Sequence, residues 1–245
     1  MADAARGRWS VIAGLGASQT LAWASSYYLI AILAPAMSRD TASSPTMVFG
    51  AFSGALLISA LLGPKVGRTI DRFGGREVLA ASNLIFAAGL VVLALAPSFS
   101  VLALGWLVMG IGMGLGLYDS AFAALGRIHG AGARSSITGI TLIAGFASTV
   151  GWPLTALGEA WLGWRGTCLA WAAAHIALGL PLNLLVLPRL RQAAARAAET
   201  AKAHVPMDRA MWLLGFAFAA GWVVSTAMAA HLPRLLEAAG ASTAQ

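Results

Sequence analysis

Charge is what this chain has least of. Asp, Glu, Lys and Arg make up 10% of its residues, against roughly 25% in soluble domains. With 59% of residues hydrophobic and a mean hydropathy of +0.78, a soluble domain is excluded. Cysteine is nearly absent: Cys168 stands alone inside an apolar stretch, so no intrachain disulfide forms. His175 and His231 have no recognisable partners, and nowhere do His, Cys, Asp and Glu fall at metal-ligand spacing. No metal and no cofactor are expected. Within the apolar stretches the one deep carboxylate is Asp119, whereas an intramembrane aspartyl protease needs two that face each other. A rhomboid-type serine protease would want Gly-x-Ser-Gly where the chain reads Ala51-Phe52-Ser53-Gly54. No catalytic constellation remains, and the chain reads as a non-enzyme.

What is there instead is long apolar runs. Seven are expected, over 9–37, 46–64, 78–97, 99–126, 135–158, 166–188 and 210–233. About 20 apolar residues cross the hydrocarbon layer as a helix, and lipid requires a backbone that satisfies its own hydrogen bonds. A closed barrel would need alternating strands of about ten residues, and the unbroken run from Val91 to Ala96 does not alternate. The first run follows Arg6 and Arg8, and Ala34-Pro35-Ala36 looks like a cleavage site. It is longer than a signal core of roughly 7–15 residues, so it is read as a span.

The net charge of +7 does not point to nucleic acid, because the basic residues sit in the segments between spans. With the N-terminus in the cytoplasm, the inner segments hold all but Arg39, Arg165 and Arg234 of the 16 Lys and Arg residues. That asymmetry sets a cytoplasmic N-terminus in a multi-pass cytoplasmic-membrane protein. Three segments follow: a six-helix bundle over 1–188, a basic Ala-rich linker over 189–209, and a seventh helix with its tail over 210–245. Pro35 with Ser44 and Pro233 with Ser242 share a spacing, a hint that helix seven restarts the pattern of helix one.

The densest run of charge and glycine is Gly67-Arg68-Thr69-Ile70-Asp71-Arg72-Phe73-Gly74-Gly75-Arg76, between the second and third spans. It resembles the loop between helices two and three of the major facilitator superfamily, through Gly67, Asp71, Arg72, Gly74 and Arg76. Gly75 departs from the family pattern, which has a basic residue there. Gly163-Trp164-Arg165 before helix six is similar too. The resemblance implies an all-α membrane protein: a six-helix N-terminal bundle, then the first helix of a second, incomplete bundle. It also implies a fragment that lacks most of a C-terminal bundle as its partner, with poor transport when alone.

The implied activity is secondary transport of a small solute by alternating access, with protons or another coupling ion as co-partner and the bilayer as surroundings. His231-Leu232-Pro233 with Gly240 and Ser242 resembles monocarboxylate and oxalate/formate members, which implies an organic acid. Trp106 stands where proton-coupled members carry Arg, and Gly151-Trp152-Pro153 does not fit the drug-antiporter pattern. The alternatives are a seven-helix sensor or an inert truncated membrane protein. By the resemblance, Gly67, Asp71, Arg72, Gly74 and Arg76 act as a cytoplasmic latch. Asp119, in the inner third of helix four, is expected to pair with Arg72 or Arg76. Asp71 is expected near a helix N-terminus, and Gly67 at a close helix approach.

Gln19, Trp23 and Tyr27 lie at i, i+4 and i+8, one helical face. Helices one, four and seven line the family's central cavity, which makes Gln19, Trp23, Tyr27, Tyr118, Trp222 and Ser225 the candidate cavity residues. Asn83, Asn183 and His175 are expected to make structural hydrogen bonds. The glycines of helix four (Gly105, Gly110, Gly112, Gly114, Gly116) and helix five (Gly139, Gly145, Gly151) read as close-packing sites rather than a phosphate loop.

Overall fold

The computed structural model describes residues 2–188 and 208–240. Ten α-helices occur among them: α1 (Ala2–Ser25), α2 (Leu29–Asp40), α3 (Pro45–Phe73), α4 (Arg76–Ala94), α5 (Phe99–Gly116), α6 (Tyr118–His129), α7 (Ala133–Ala144), α8 (Ala147–Ala174), α9 (Leu180–Val186) and α10 (Arg209–Ala238). No strand occurs among the described residues, as an all-α membrane protein requires. Five continuous stretches are long and apolar enough to cross a membrane, and the longest, Phe99–Val186, holds three of the expected spans. Most of the 189–209 linker lies outside the described residues.

Phe99–Val186 cannot be one rod. Trp171 Nε1 donates to Thr155 Oγ1 at 3.2 Å, yet 16 helical residues would separate them by about 24 Å. The chain reverses at Gly163, whose φ of 69° and ψ of 170° interrupt α8. That left-handed φ is open to glycine at little cost.

Several spans are broken midway. Between α1 and α2, Ser25 and Ser26 turn their hydroxyls back onto the Leu21 and Ala22 carbonyls at 2.8 and 2.6 Å, a bonding that bends helices. The fourth span breaks at Leu117, which is extended at φ −85°, ψ −170°. The fifth breaks at Gly145-Phe146, and the sixth widens into a π turn over His175–Gly179. Pro181 follows that turn and lacks the N–H that a regular helix would need there.

Span ends gather in two groups. At one, Arg165 bonds Asp40 and also the Ala96 carbonyl (2.8 Å), while Trp164 Nε1 donates to Asp40 at 2.8 Å. At the other, Arg76 donates to the Leu184 carbonyl from Nε and Nη2 at 2.8 and 2.6 Å. The third and sixth spans therefore run antiparallel. The core is built by α5 against α3 and α4. Gly110 lies against the Ala55 carbonyl so closely that a Cβ has no room, the close approach that small residues give membrane helices.

Candidate functional site

The break in the fourth span exposes the problem that the site solves. Ending α5 at Gly116 strips that residue's carbonyl of its helical partner inside an apolar bundle. Gln19 supplies one: its Nε2 donates to Gly116 O at 2.7 Å, and Ser120 Oγ does the same for Gly114 O at 2.9 Å. Gln19 is 1% exposed, and its Oε1 has no hydrogen-bond partner.

One turn on, Trp23 is the hub of a ring cluster. Its ring centroid lies 5.0 Å from Tyr27, 4.9 Å from Tyr118 and 6.3 Å from Trp222, the last nearly parallel at 9°. Such pairs each contribute about 0.5–1.5 kcal/mol beyond burial. The Tyr27 hydroxyl donates to Thr226 Oγ1, which donates in turn to the Trp222 carbonyl at 2.7 Å. So four of the six expected cavity residues meet: Trp23 on α1, Tyr27 at the break, Tyr118 on α6 and Trp222 on α10, while Gln19 binds the Gly116 carbonyl instead. Ser225 makes none of these contacts; Thr226, one position on, takes its place. Tyr28 and Trp152 also join, with centroids 5.7 Å apart. The double tyrosine and the Trp152-Pro153 pair were the signals available for them.

The latch residues fall differently. α3 runs through to Phe73, so Gly67, Asp71 and Arg72 are helical and the turn shrinks to Gly74-Gly75. A 29-residue helix is about 44 Å long, well beyond a hydrocarbon core of about 30 Å. Its charged last turns therefore stand clear of lipid. Asp71 sits near the C-terminal end of α3, where its own helix dipole disfavours it. A Cβ on Gly67 would meet nothing within 4 Å, so the expected close approach is not made there. It is made by Gly75, which lies against Ala124 with no room for a side chain. The departure from the family pattern is thus a packing requirement.

Among the described residues no ion pair joins Asp119 to Arg72 or Arg76. Asp119 is exposed in the first turn of α6, where the helix dipole favours it. Arg76 is committed elsewhere, holding Leu184 at the C-terminal end of α9, where a cation is favoured. Arg72 lies over the Phe73 ring at 5.3 Å.

His175 is fully buried and has partners after all. Ser25 Oγ lies 2.8 Å from its Nε2 and Asn83 Oδ1 2.9 Å from its Nδ1. Asn83 and Asn183 both donate to the Leu79 carbonyl, at 2.8 and 2.9 Å. The trio resembles a hydrolytic triad in spacing only. Ser25 and His175 are at 0% exposure, so no substrate reaches them.

Helical spans that break midway, with an aromatic cluster at the breaks, are features that transporter folds share. A family model described as Major Facilitator Superfamily matches residues 15–245, and the chain belongs to that family. It is similar to the Multidrug resistance protein B homolog of Mycobacterium tuberculosis, 33% identical over 64% of this chain and 29% of that protein. A chloramphenicol efflux pump of the same species is 30% identical over 67% of this chain and 41% of its own. The facilitated glucose transporter member 10 of Mus musculus is 32% identical over 63% and 28%. The chain thus spans less than half the length of these curated relatives.

Proposed function

We propose that this chain is part of a secondary transporter that moves a small solute across the cytoplasmic membrane by alternating access, with its N-terminus in the cytoplasm. The observation that carries this reading is the meeting of Trp23, Tyr27, Tyr118 and Trp222 from the first, fourth and seventh spans. A second helical unit packing against the face that α10 begins to cover would complete the cavity. Family membership supports the mechanism, and the Lys and Arg distribution supports the orientation.

Arg76 acts within the first bundle, clamping the third span to the sixth. Asp71 and Arg72, both exposed, are the latch groups left to meet another unit. Coupling to protons or another ion belongs to the same reading. The relatives' names, multidrug resistance, chloramphenicol efflux and facilitated glucose transport, are compatible with movement of a small solute.

The test is saturable flux. Membrane vesicles from cells that carry the gene and from cells that lack it are compared for uptake of labelled solutes. Gene-dependent, saturable movement of any one solute supports the reading. Equal movement in both vesicle sets across a broad panel overturns it.

A further inference from the structure

The charged end of α3 carries a surface that the ring cluster does not use. Val66 and Ile70 are buried and mark the side of α3 that faces the core. At about 100° per residue, Arg68 points directly away from that side, with Lys65 and Arg72 within about 60° of it. All three are exposed. Leu61 and Leu57 continue the same stripe towards the middle of the span, 68% and 61% exposed. The face thus changes from apolar to basic within the single turn from Leu61 to Lys65.

We infer that this stripe binds the headgroups of acidic phospholipids in the leaflet at that end of α3, through Lys65 and Arg68. The inference goes beyond the transport reading and stands without it. Clear of the hydrocarbon, the last turns of α3 still pass the headgroup layer, about 5–8 Å thick on each side. Lys65 to Arg68 rises about 4.5 Å, and long stems let both charges settle at phosphate level. Acyl chains of the same lipids lie against Leu61 and Leu57. A lipid with net negative charge gains from both cations, whereas a zwitterionic one brings a competing cation of its own.

A second helical unit leaves this stripe to lipid. Phe49, whose ring lies 4.9 Å from that of His231, marks the side of α3 on which α10 packs. Asp71, the one acidic residue of α3, falls within about 40° of Phe49 in helical phase. Lys65 is turned about 160° from Phe49, and Arg68 about 100°. Asp71 therefore faces the α10 side, and the stripe faces away from it. Arg72, whose guanidinium lies over the Phe73 ring, also belongs to the latch reading and is kept out of the test.

The experiment places a bimane fluorophore on Thr69→Cys in the Cys168→Ser protein. Thr69 is exposed, one turn from Lys65, onto whose carbonyl its hydroxyl donates at 2.9 Å. The full protein is reconstituted in phosphatidylcholine vesicles. Quenching is followed as phosphatidylglycerol or phosphatidylcholine with a nitroxide high on its acyl chain is added. The expected result is half-maximal quenching at an at least about fivefold lower mole fraction of phosphatidylglycerol, the worth of one basic side chain at a charged surface. High salt should remove most of that preference. Lys65→Gln with Arg68→Gln should bring the two lipids level, and Lys65→Arg with Arg68→Lys should keep them apart. Equal quenching by both lipids in the parent, or a preference that the glutamine pair leaves unchanged, overturns the inference. Weak quenching by both means that protein covers the face, and overturns it as well. If the glutamine pair fails to fold, the salt series on the parent decides, and a preference indifferent to salt overturns it.

Discussion

Gln19 holds the carbonyl that the fourth span releases at Gly116, with an Nε2···O distance of 2.7 Å. The contact joins two spans 97 residues apart in sequence at the point where both approach the ring cluster. It makes the broken helix affordable in an apolar interior. Gln19→Leu, close in volume but without the amide, leaves that carbonyl buried and unpaired. The expected loss is about 1–3 kcal/mol, read as a lower unfolding temperature of the detergent-purified protein. An unchanged temperature would mean that the bond contributes nothing.

Glycine positions separate cleanly by their surroundings. Gly110→Val drives a side chain into the Ala55 carbonyl and is expected to cost about 1–3 kcal/mol or more, as overpacking does. Gly67→Ala meets nothing within 4 Å and lies inside α3, so it is expected to stabilise by about 0.5–1 kcal/mol, the usual cost of glycine in a helix. Thermal unfolding of the two variants side by side checks both statements. Equal effects would contradict the packing described.

Arg76 spans the third and sixth helices through two donors on one carbonyl. Lysine cannot reproduce that fork. Arg76→Lys is therefore expected to destabilise nearly as much as Arg76→Ala, by roughly 1.5–3 kcal/mol, the scale of a charged hydrogen bond. Denaturation in mixed micelles measures the pair. Full rescue by lysine would point to simple surface charge instead.

Orientation has its own readout. Ser44 and Thr69 are both exposed and lie at opposite ends of α3's span. In a Cys168→Ser background, Ser44→Cys is expected to react with a membrane-impermeant maleimide on intact cells. Thr69→Cys should react only after permeabilisation. The reverse pattern would turn the molecule over.

Much of this was legible in the sequence. The seven apolar runs fall within five continuous stretches long and apolar enough to cross a membrane, the longest holding three of them, because hydropathy over about 20 residues reports the cost of lipid contact directly. The breaks at 26–28, Leu117 and Gly145-Phe146 were not legible, because bent and straight apolar helices have the same hydropathy. Ser25-Ser26 and the Gly112, Gly114 and Gly116 series carried the only local hints. The Gly67–Phe73 stretch was expected as loop because it is charged. Outside lipid, however, charge does not stop a helix, and α3 continues until Gly74, whose φ is 94°. Ring partners on one helical face were predictable from spacing; choosing Thr226 over Ser225 required the rotation of α10 about its axis, which an exposed helix does not encode.

Alternating access is tested most directly at Ser225, on α10 beside the Tyr27–Thr226 contact. Ser225→Cys in the Cys168→Ser protein is probed with an impermeant thiol reagent, on right-side-out and then on inverted native membrane vesicles. The account predicts labelling from both sides. The outer reaction should slow, and the inner one rise, when Asp71→Asn weakens the proposed cytoplasmic latch. Labelling from one side only, unmoved by Asp71→Asn, would contradict it.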